Sequence, residues 1–187
     1  RLPVRILNDS QATAIGEFVH GDHQSDGNLI AVNVSHGIGA GILINGRLFQ
    51  GDGGSAGEIG HVLTQENGQL CRCGRKGCLE TLASGWAILQ AAQRLPDLSE
   101  VTTLEALETK FCADDPAVKE IVLKAGRYLG TAIGSLVGTL NIKKVVLTGF
   151  GTSNVQGLVN TFQWSLDNRI VVAISSSGAE LRKPDDL

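Results

Sequence analysis

The sequence lacks the features of several large classes of protein. It contains no apolar run that approaches the roughly 18 residues needed to cross a bilayer, and its first residues, RLPVRILNDS, show no signal-peptide pattern. The net charge is −3, so these residues offer no basic surface for nucleic acid. Cysteine is scarce, with four residues, which fits a metal site in a reducing compartment better than a disulfide scaffold. We therefore expect a cytoplasmic protein that makes no membrane contact.

The residues that are present predict a globular α/β protein. Hydrophobic residues make up 42% of the chain and charged residues 19%, a balance that allows a buried core. Glycine is abundant, with 24 residues, as expected where loops approach a small ligand closely. The 187 residues match one large domain or two small lobes. Because the chain begins without Met, we expect it to be part of a longer protein.

Predicted strands and helices alternate along the chain. Turn signals, capping residues and apolar periodicity support each of them; Asn45-Gly46 predicts a hairpin, and the apolar face of 118–140 is expected to be core or a dimer interface. The predicted elements are a strand at 2–7, a helix from near Ser10 to Gly21, strands at 28–35 and 39–44, a helix from Ser84 to Leu95, a helix at TLEALETKFC, a helix begun by Asp115-Pro116, a strand at 143–151, a helix at about 154–168 and the strand IVVAI.

Three of the four cysteines lie within the segment CRCGRKGCLE. Cys71, Cys73 and Cys78 follow the spacing C-x-C-x4-C, in which Gly74 and Gly77 allow a tight turn, and His61 upstream supplies a fourth ligand. A Cys3His set suits a structural zinc ion with a closed tetrahedral shell. The alternative is ordinary buried cysteines, and a disulfide is disfavoured because Cys71 and Cys73 are too close in sequence. Cys112, alone on a helix, is expected to be a core residue.

Acidic residues accompany the predicted metal ligands. Glu58 lies in the segment GEIGH, which also delivers His61, and Glu80 follows Cys78. The ring nitrogen of His61 that does not bind the metal must be a donor, because metal binding fixes the tautomer. A fixed donor beside carboxylate acceptors is a good partner for vicinal hydroxyls. Glu58 as a solvated loop charge, and Glu80 paired with Arg72 or Lys76, remain the alternatives.

These motifs resemble the two-part signature of the ROK proteins, a group of bacterial repressors and sugar kinases. The resemblance covers GIGAGILINGRLFQGDGGSAGEIGH and CRCGRKGCLE, and extends to LPVRILNDSQATAIGE and LNIKKVVLTGFG. It implies an actin-like, hexokinase-type ATPase fold (ribonuclease H-like). Residues 1–187 would form mostly the larger, zinc-containing lobe, with the first lobe and any winged helix-turn-helix upstream, and with the last helix of the fold beyond Leu187.

The resemblance also implies roles for individual residues. Asn8 would hydrogen-bond a sugar, and Asp9 stands where the kinases keep the general base that takes a proton from the attacking hydroxyl. Glu58, His61 and Glu80 match the sugar-hydroxyl ligands of the family, and His61 with the three clustered cysteines matches its zinc ligands. Without this context, Asp9 would be read as a charge favoured at a helix N-terminus.

The predicted phosphate segment departs from the kinase pattern. Kinases of this family read Gly-Thr-Gly-x-Gly-Gly-Gly, whereas this chain has His36 in place of the Thr and Ala40 in place of one glycine. Gly37, Gly39 and Gly41 match the backbone positions that hold nucleotide phosphates, or are plain strand and turn glycines. Phe150 interrupts the glycines on the adenosine side. Nucleotide binding is therefore disfavoured, and sugar binding is not.

Three functions follow from these observations. The first is the effector domain of a ROK transcriptional regulator, which binds a monosaccharide or amino-sugar and controls operator DNA through an upstream domain in a homodimer or tetramer. The second is an ATP- and Mg²⁺-dependent sugar kinase with Asp9 as general base. The third is a zinc-containing interaction module without a small-molecule ligand.

Overall fold

A computed structural model describes residues 6–21, 27–149 and 171–174 of the chain. Within these residues, five strands form one mixed sheet in the order β3-β2-β1-β4-β5. β1 pairs antiparallel with β2 and parallel with β4, which in turn pairs parallel with β5. The strands are β1 (Leu29–Val34), β2 (Ile38–Ile44), β3 (Arg47–Leu48), β4 (Lys144–Gly149) and β5 (Val171–Ile174).

The described residues also form five α-helices, and side-chain caps fix where four of them begin. The helices are α1 (Asp9–His20), α2 (Glu80–Ala83), α3 (Gly85–Gln93), α4 (Leu104–Cys112) and α5 (Pro116–Leu140). Asn8, Ser84, Thr103 and Asp115 each accept a hydrogen bond from a first-turn N–H of the helix that follows, which satisfies a backbone donor that would otherwise have no partner. No helix in the described part of the chain has the length and apolar character required to span a membrane.

β1 is buried on both faces, because helices cover both sides of the sheet. Leu29 and Ala31 face α1 and pack with its Ala14. The alternate residues, Ile30 and Val32, face α5 and pack with Leu129 and Ile133, among others. Parallel sheets that are covered on both faces read as continuous apolar runs, which explains the lack of polar alternation in LIAV.

The predicted elements are mostly confirmed, with differences at their ends. α1 begins at Asp9 with Asn8 as its cap, one residue earlier than expected, and the Asn45-Gly46 hairpin is present, both residues having positive φ. The strand expected at 2–7 is wrong where it can be compared, since residues 6–8 form no strand. The short helix α2 was not predicted, because four residues are too few for a helical period. The helix expected at 154–168, and residues 1–5, lie outside the described residues.

Candidate functional site

The four predicted metal ligands converge in the structure. His61, Cys71, Cys73 and Cys78 each place a ligand atom within 4.8 Å of the other three. The Sγ atoms of Cys73 and Cys78 are 3.6 Å apart, and the Sγ of Cys71 is 3.6 Å from Nδ1 of His61. A tetrahedral zinc site with metal–sulfur bonds of about 2.3 Å has sulfur–sulfur edges of about 3.8 Å. The donor set and its spacing therefore fit a metal ion, and none of these cysteines forms a disulfide.

Glycine turns bring the three thiols to one point. Gly74 and Gly77 have φ values of +87° and +74°, in the left-handed region that favours glycine. A Cβ atom on Gly77 would lie 1.7 Å from the carbonyl oxygen of Gln65, so a side chain is excluded there. The N–H of Cys71 donates to the carbonyl of Arg75 at 2.8 Å, which closes the turn that carries Cys73.

The thiols differ in their surroundings. Hydrogen bonding from the backbone of Arg75 lowers the pKa of the exposed Cys73 thiol to about 6. Burial raises the pKa of the Cys78 thiol to about 12. A metal ion needs the thiolate forms, so metal binding would displace a proton from Cys78. Cys112 was expected in the core, but this is wrong: it is exposed at the end of α4.

His61 connects the thiol cluster to an acidic side chain. Its Nδ1 faces Cys71, and its Nε2 lies 3.9 Å from Oε2 of Glu58. This distance exceeds a direct hydrogen bond, and the two side chains are 26% and 50% exposed. A ligand hydroxyl can therefore reach both groups, accepting from Nε2–H and donating to the carboxylate. Of the two acidic acceptors that the sequence suggests for this nitrogen, Glu58 and Glu80, the structure places Glu58 beside it.

The segment that carries Glu58 and His61 is held against the first part of β2, which β3 does not pair with. The N–H of Ala40 donates to the carbonyl of Gly57 at 2.8 Å. A Cβ atom on Gly60 would lie 2.2 Å from the carbonyl oxygen of Ile38. Because glycine permits this close approach, the backbone on either side of Glu58 is fixed by contacts with the sheet.

Glu80 is buried and already has partners. Its Oε1 accepts from Nη2 of Arg72 at 2.9 Å, and its Oε2 accepts from the N–H of Ile38 at 3.4 Å. The carboxylate raises the pKa of the Arg72 guanidinium, mainly by this hydrogen bond. Of the two basic residues that the sequence offered as partners, the structure pairs Arg72 with Glu80. The sugar-ligand role predicted for Glu80 therefore requires access to a carboxylate that an arginine now covers.

Asn8 and Asp9 lie at the N-terminus of α1. Oδ1 of Asn8 accepts from the N–H of Gln11 at 2.7 Å, so the cap leaves its NH2 group available as a donor. Oδ1 of Asp9 accepts from the N–H of Ser10 at 2.8 Å, and its Oδ2 accepts from Nδ2 of Asn33 at 3.2 Å. Asn33 was not predicted as a site residue. In the sequence, Asn33 stands out as a single polar residue near the end of the apolar strand β1.

The predicted phosphate glycines have structural reasons to be glycine. Cβ atoms on Gly39 and Gly41 would lie 2.4 Å and 2.2 Å from atoms of Ser10 in α1. A Cβ on Gly37 would lie 2.8 Å from Oε2 of Glu80. Ala40, which replaces one glycine of the kinase pattern, is in a strand and its side chain is in the core on the α5 side. His36 is exposed in the turn between β1 and β2, and Phe150 lies outside the described residues.

A cavity of about 830 Å³ lies apart from these groups, among α3, α5 and the loop that precedes the first cysteine. Gln69, Gln90, Lys124 and Tyr128 contribute to its lining. None of the predicted sugar or metal ligands lines it, so it has no part in the site built above.

Sequence comparison places these motifs in a known family. Residues 1–185 match the ROK family. The chain belongs to the ROK family. It is 35% identical over 147 residues to N-acetylmannosamine kinase of Haemophilus influenzae (strain PittEE), covering 79% of this chain and 48% of that protein. It is 30% identical over 188 residues to the xylose repressor of Bacillus subtilis (strain 168), covering 94% and 45%.

Structural comparison agrees with the ROK assignment. The chain superposes on the ROK hexokinase from Thermus thermophilus with a TM-score of 0.83 and 32% identity, covering 95% of this chain and 63% of that one. The fold is therefore the actin-like ATPase fold of the ROK hexokinases and glucokinases, as the motifs predicted. The chain spans about half the length of the curated ROK relatives it matches, and these include both kinases and a repressor.

Proposed function

We propose that this chain is the sugar-sensing part of a ROK transcriptional regulator. The observation that carries the proposal is the position of His61, whose Nδ1 faces the Sγ of Cys71 in the thiol cluster while its Nε2 faces the carboxylate of Glu58. A metal ion held by the thiols would fix the ring and leave Nε2–H as a donor beside an acceptor. This donor–acceptor pair suits vicinal hydroxyls of a monosaccharide or amino-sugar.

The remaining proposed sugar ligands lie near the same end of the β1–β2 pair. Asp9 is bonded to Asn33, which pairs with Gly39 across the sheet. The neighbouring Ile38 bonds Glu80 through its N–H and contacts Gly60, beside His61, through its carbonyl. Asn8 and Asp9 would therefore bind one side of a sugar, and Glu58, His61 and Glu80 the other.

Zinc is the proposed ion, because the donor set is one nitrogen and three sulfurs. Four protein ligands close its shell, so the ion would supply rigidity rather than an open position for catalysis. Three thiols this close without a disulfide suit a reducing compartment, and we place the protein in the cytoplasm.

A regulator is favoured over a kinase by His36. It stands in the exposed β1–β2 turn, where the kinases of the family place a threonine that contacts phosphate. Under this proposal, sugar binding changes the affinity for operator DNA through a domain outside this chain, in a homodimer or tetramer. Coupling of this kind is typically about 1–3 kcal/mol, a change of about 5- to 150-fold in DNA affinity.

Sugar kinase activity is the second candidate, and Asp9 favours it. Its carboxylate is exposed, and its two oxygens accept from the N–H of Ser10 and from Asn33. Each oxygen keeps a second lone pair that can accept a proton from a sugar hydroxyl. Gly37, Gly39 and Gly41 would border the nucleotide phosphates. ATP with Mg²⁺ would supply the phosphoryl group.

Sugar binding by the full-length protein tests the proposal. D-Xylose, D-glucose and N-acetyl-D-mannosamine are tested by calorimetry against the wild type, Glu58→Gln and, as a matched control, Glu66→Gln in the nearby exposed loop. We expect one sugar to bind the wild type and the control equally, and Glu58→Gln at least about 5-fold more weakly. Equal binding by all three proteins would exclude the Glu58–His61 pair as part of the sugar site.

Incubation of the same full-length protein with the bound sugar and ATP separates the two functions. If the protein is a regulator, we expect no phosphorylated sugar and a change in its affinity for DNA when the sugar is added. Phosphorylation at ordinary enzyme rates of about 1 s⁻¹ or faster would instead establish the kinase.

A further inference from the structure

Glu80 is the most deeply buried of the acidic residues assigned to the sugar, and its cover is a mobile type of side chain. The Glu80 side chain is 9% exposed, whereas that of Arg72, its ion-pair partner, is 69% exposed. The guanidinium therefore lies on the solvent side of the carboxylate. An exposed arginine has little packing to lose when it rotates away.

We propose that Arg72 is a gate over Glu80, which a sugar must displace to reach the carboxylate. The proposal rests on the proposed sugar site and adds to it a residue that sets affinity. In the free protein Arg72 occupies Oε1 of Glu80 at 2.9 Å. In the bound protein a sugar hydroxyl takes that oxygen, and the guanidinium turns into solvent.

With this gate, sugar affinity depends on the ion pair between Arg72 and Glu80, although the sugar carries no charge. A neutral sugar exchanges its own hydrogen bonds for the Arg72–Glu80 interaction, so the strength of that interaction is subtracted from its binding free energy. Salt screens a pair with one exposed partner. Affinity for a neutral sugar should therefore rise with ionic strength, and this dependence should disappear when Arg72 is removed.

Glu80 also connects the gate to the turn between β1 and β2. Its Oε2 accepts from the N–H of Ile38 at 3.4 Å, and a Cβ atom on Gly37 would lie 2.8 Å from the same oxygen. If the carboxylate moves when Arg72 leaves, its contacts with Gly37 and Ile38 change as well. Through Glu80, a bound sugar would therefore be connected to the turn that carries His36.

Sugar affinity of the full-length, metal-containing protein is the first test. Arg72→Gln is compared with the wild type and with Lys76→Gln, which removes an exposed cation from the same loop. With N-acetyl-D-mannosamine, D-glucose or D-xylose as probe, we expect Arg72→Gln to bind about 2- to 5-fold more tightly, the range for partly exposed ion pairs. Lys76→Gln should bind as the wild type does, and Arg72→Lys should lie between the two. Unchanged or weaker binding by Arg72→Gln overturns the gate.

Carboxyl labelling is the second test and needs no sugar. A water-soluble carbodiimide with an amine modifies accessible carboxylates, which mass spectrometry locates. We expect Glu80 to be protected in the wild type and in Lys76→Gln but labelled in Arg72→Gln, with Glu58 labelled equally in all three as the internal reference. Continued protection of Glu80 in Arg72→Gln overturns the gate. If no sugar binds the wild type, the proposed sugar site fails, and the labelling alone decides whether Arg72 covers Glu80.

Discussion

Replacement of Gly41 by Ala tests why the glycines of β2 are present. A Cβ at this position would lie 2.2 Å from the carbonyl oxygen of Ser10 and 2.5 Å from Cβ of Ala14, both in α1. Ordinary contact needs about 3.4 Å or more, so α1 must move outward by about 1 Å. Overpacking of this kind costs about 1–3 kcal/mol. We expect the upper part of that range, because the carbonyl is backbone and cannot rotate away.

Gly16→Ala is the matched control for Gly41→Ala. Gly16 lies in α1, the helix that a Cβ on Gly41 would displace, and a Cβ on Gly16 itself meets nothing within 4 Å. Alanine is favoured over glycine inside a helix by about 0.8–1 kcal/mol, so this variant should be slightly more stable than the wild type. Urea unfolding followed by circular dichroism gives both free energies. Equal stability of Gly41→Ala and the wild type would contradict close packing of α1 on β2 as the reason for the glycine.

The remaining predictions concern the metal, a helix cap and the base. Cys73→Ser should lose tightly bound metal while Cys112→Ser keeps it, as measured by elemental analysis after gel filtration; retention by both would exclude Cys73 as a ligand. Asp115→Ala removes the acceptor for two N–H groups at the start of α5 and should lower the free energy of unfolding by about 1 kcal/mol; no change in the urea midpoint would contradict this. Asn33→Ala removes the donor that holds Asp9 and should weaken sugar binding by about 3- to 10-fold, and calorimetry that gives the wild-type affinity would exclude that positioning role.

The metal cluster was predictable because its geometry is local. Gly74 and Gly77 lie between Cys73 and Cys78 and allow a tight turn, and the chemistry of thiolates restricts what such a turn can bind. The caps Ser84, Thr103 and Asp115 are local in the same sense, since each acts on a backbone N–H two or three residues further along the chain. Features of this kind depend on few contacts outside their own segment.

The partners of Glu80 and the role of Gly41 were not predictable, because both depend on distant segments. From the sequence, the partner of the Glu80 carboxylate could be a sugar, Arg72 or Lys76. The fold shows that the N–H of Ile38 also donates to it. Gly41 matched a phosphate-binding pattern, yet the atoms that exclude a side chain there belong to α1. The same applies to the order of the sheet, in which β4 lies beside β1 although the chain between them contains most of the described helices.

Sugar binding by one protein sample with and without its metal is the most direct test of the account. The metal is removed with a chelator, the fold is checked by circular dichroism, and the sugar that binds the untreated protein is titrated before removal, after removal and after zinc is restored. If the ion fixes the ring of His61, the affinity for the sugar should fall at least about tenfold when the metal is removed and should return when zinc is restored. Undiminished affinity in a folded, metal-free sample would contradict it.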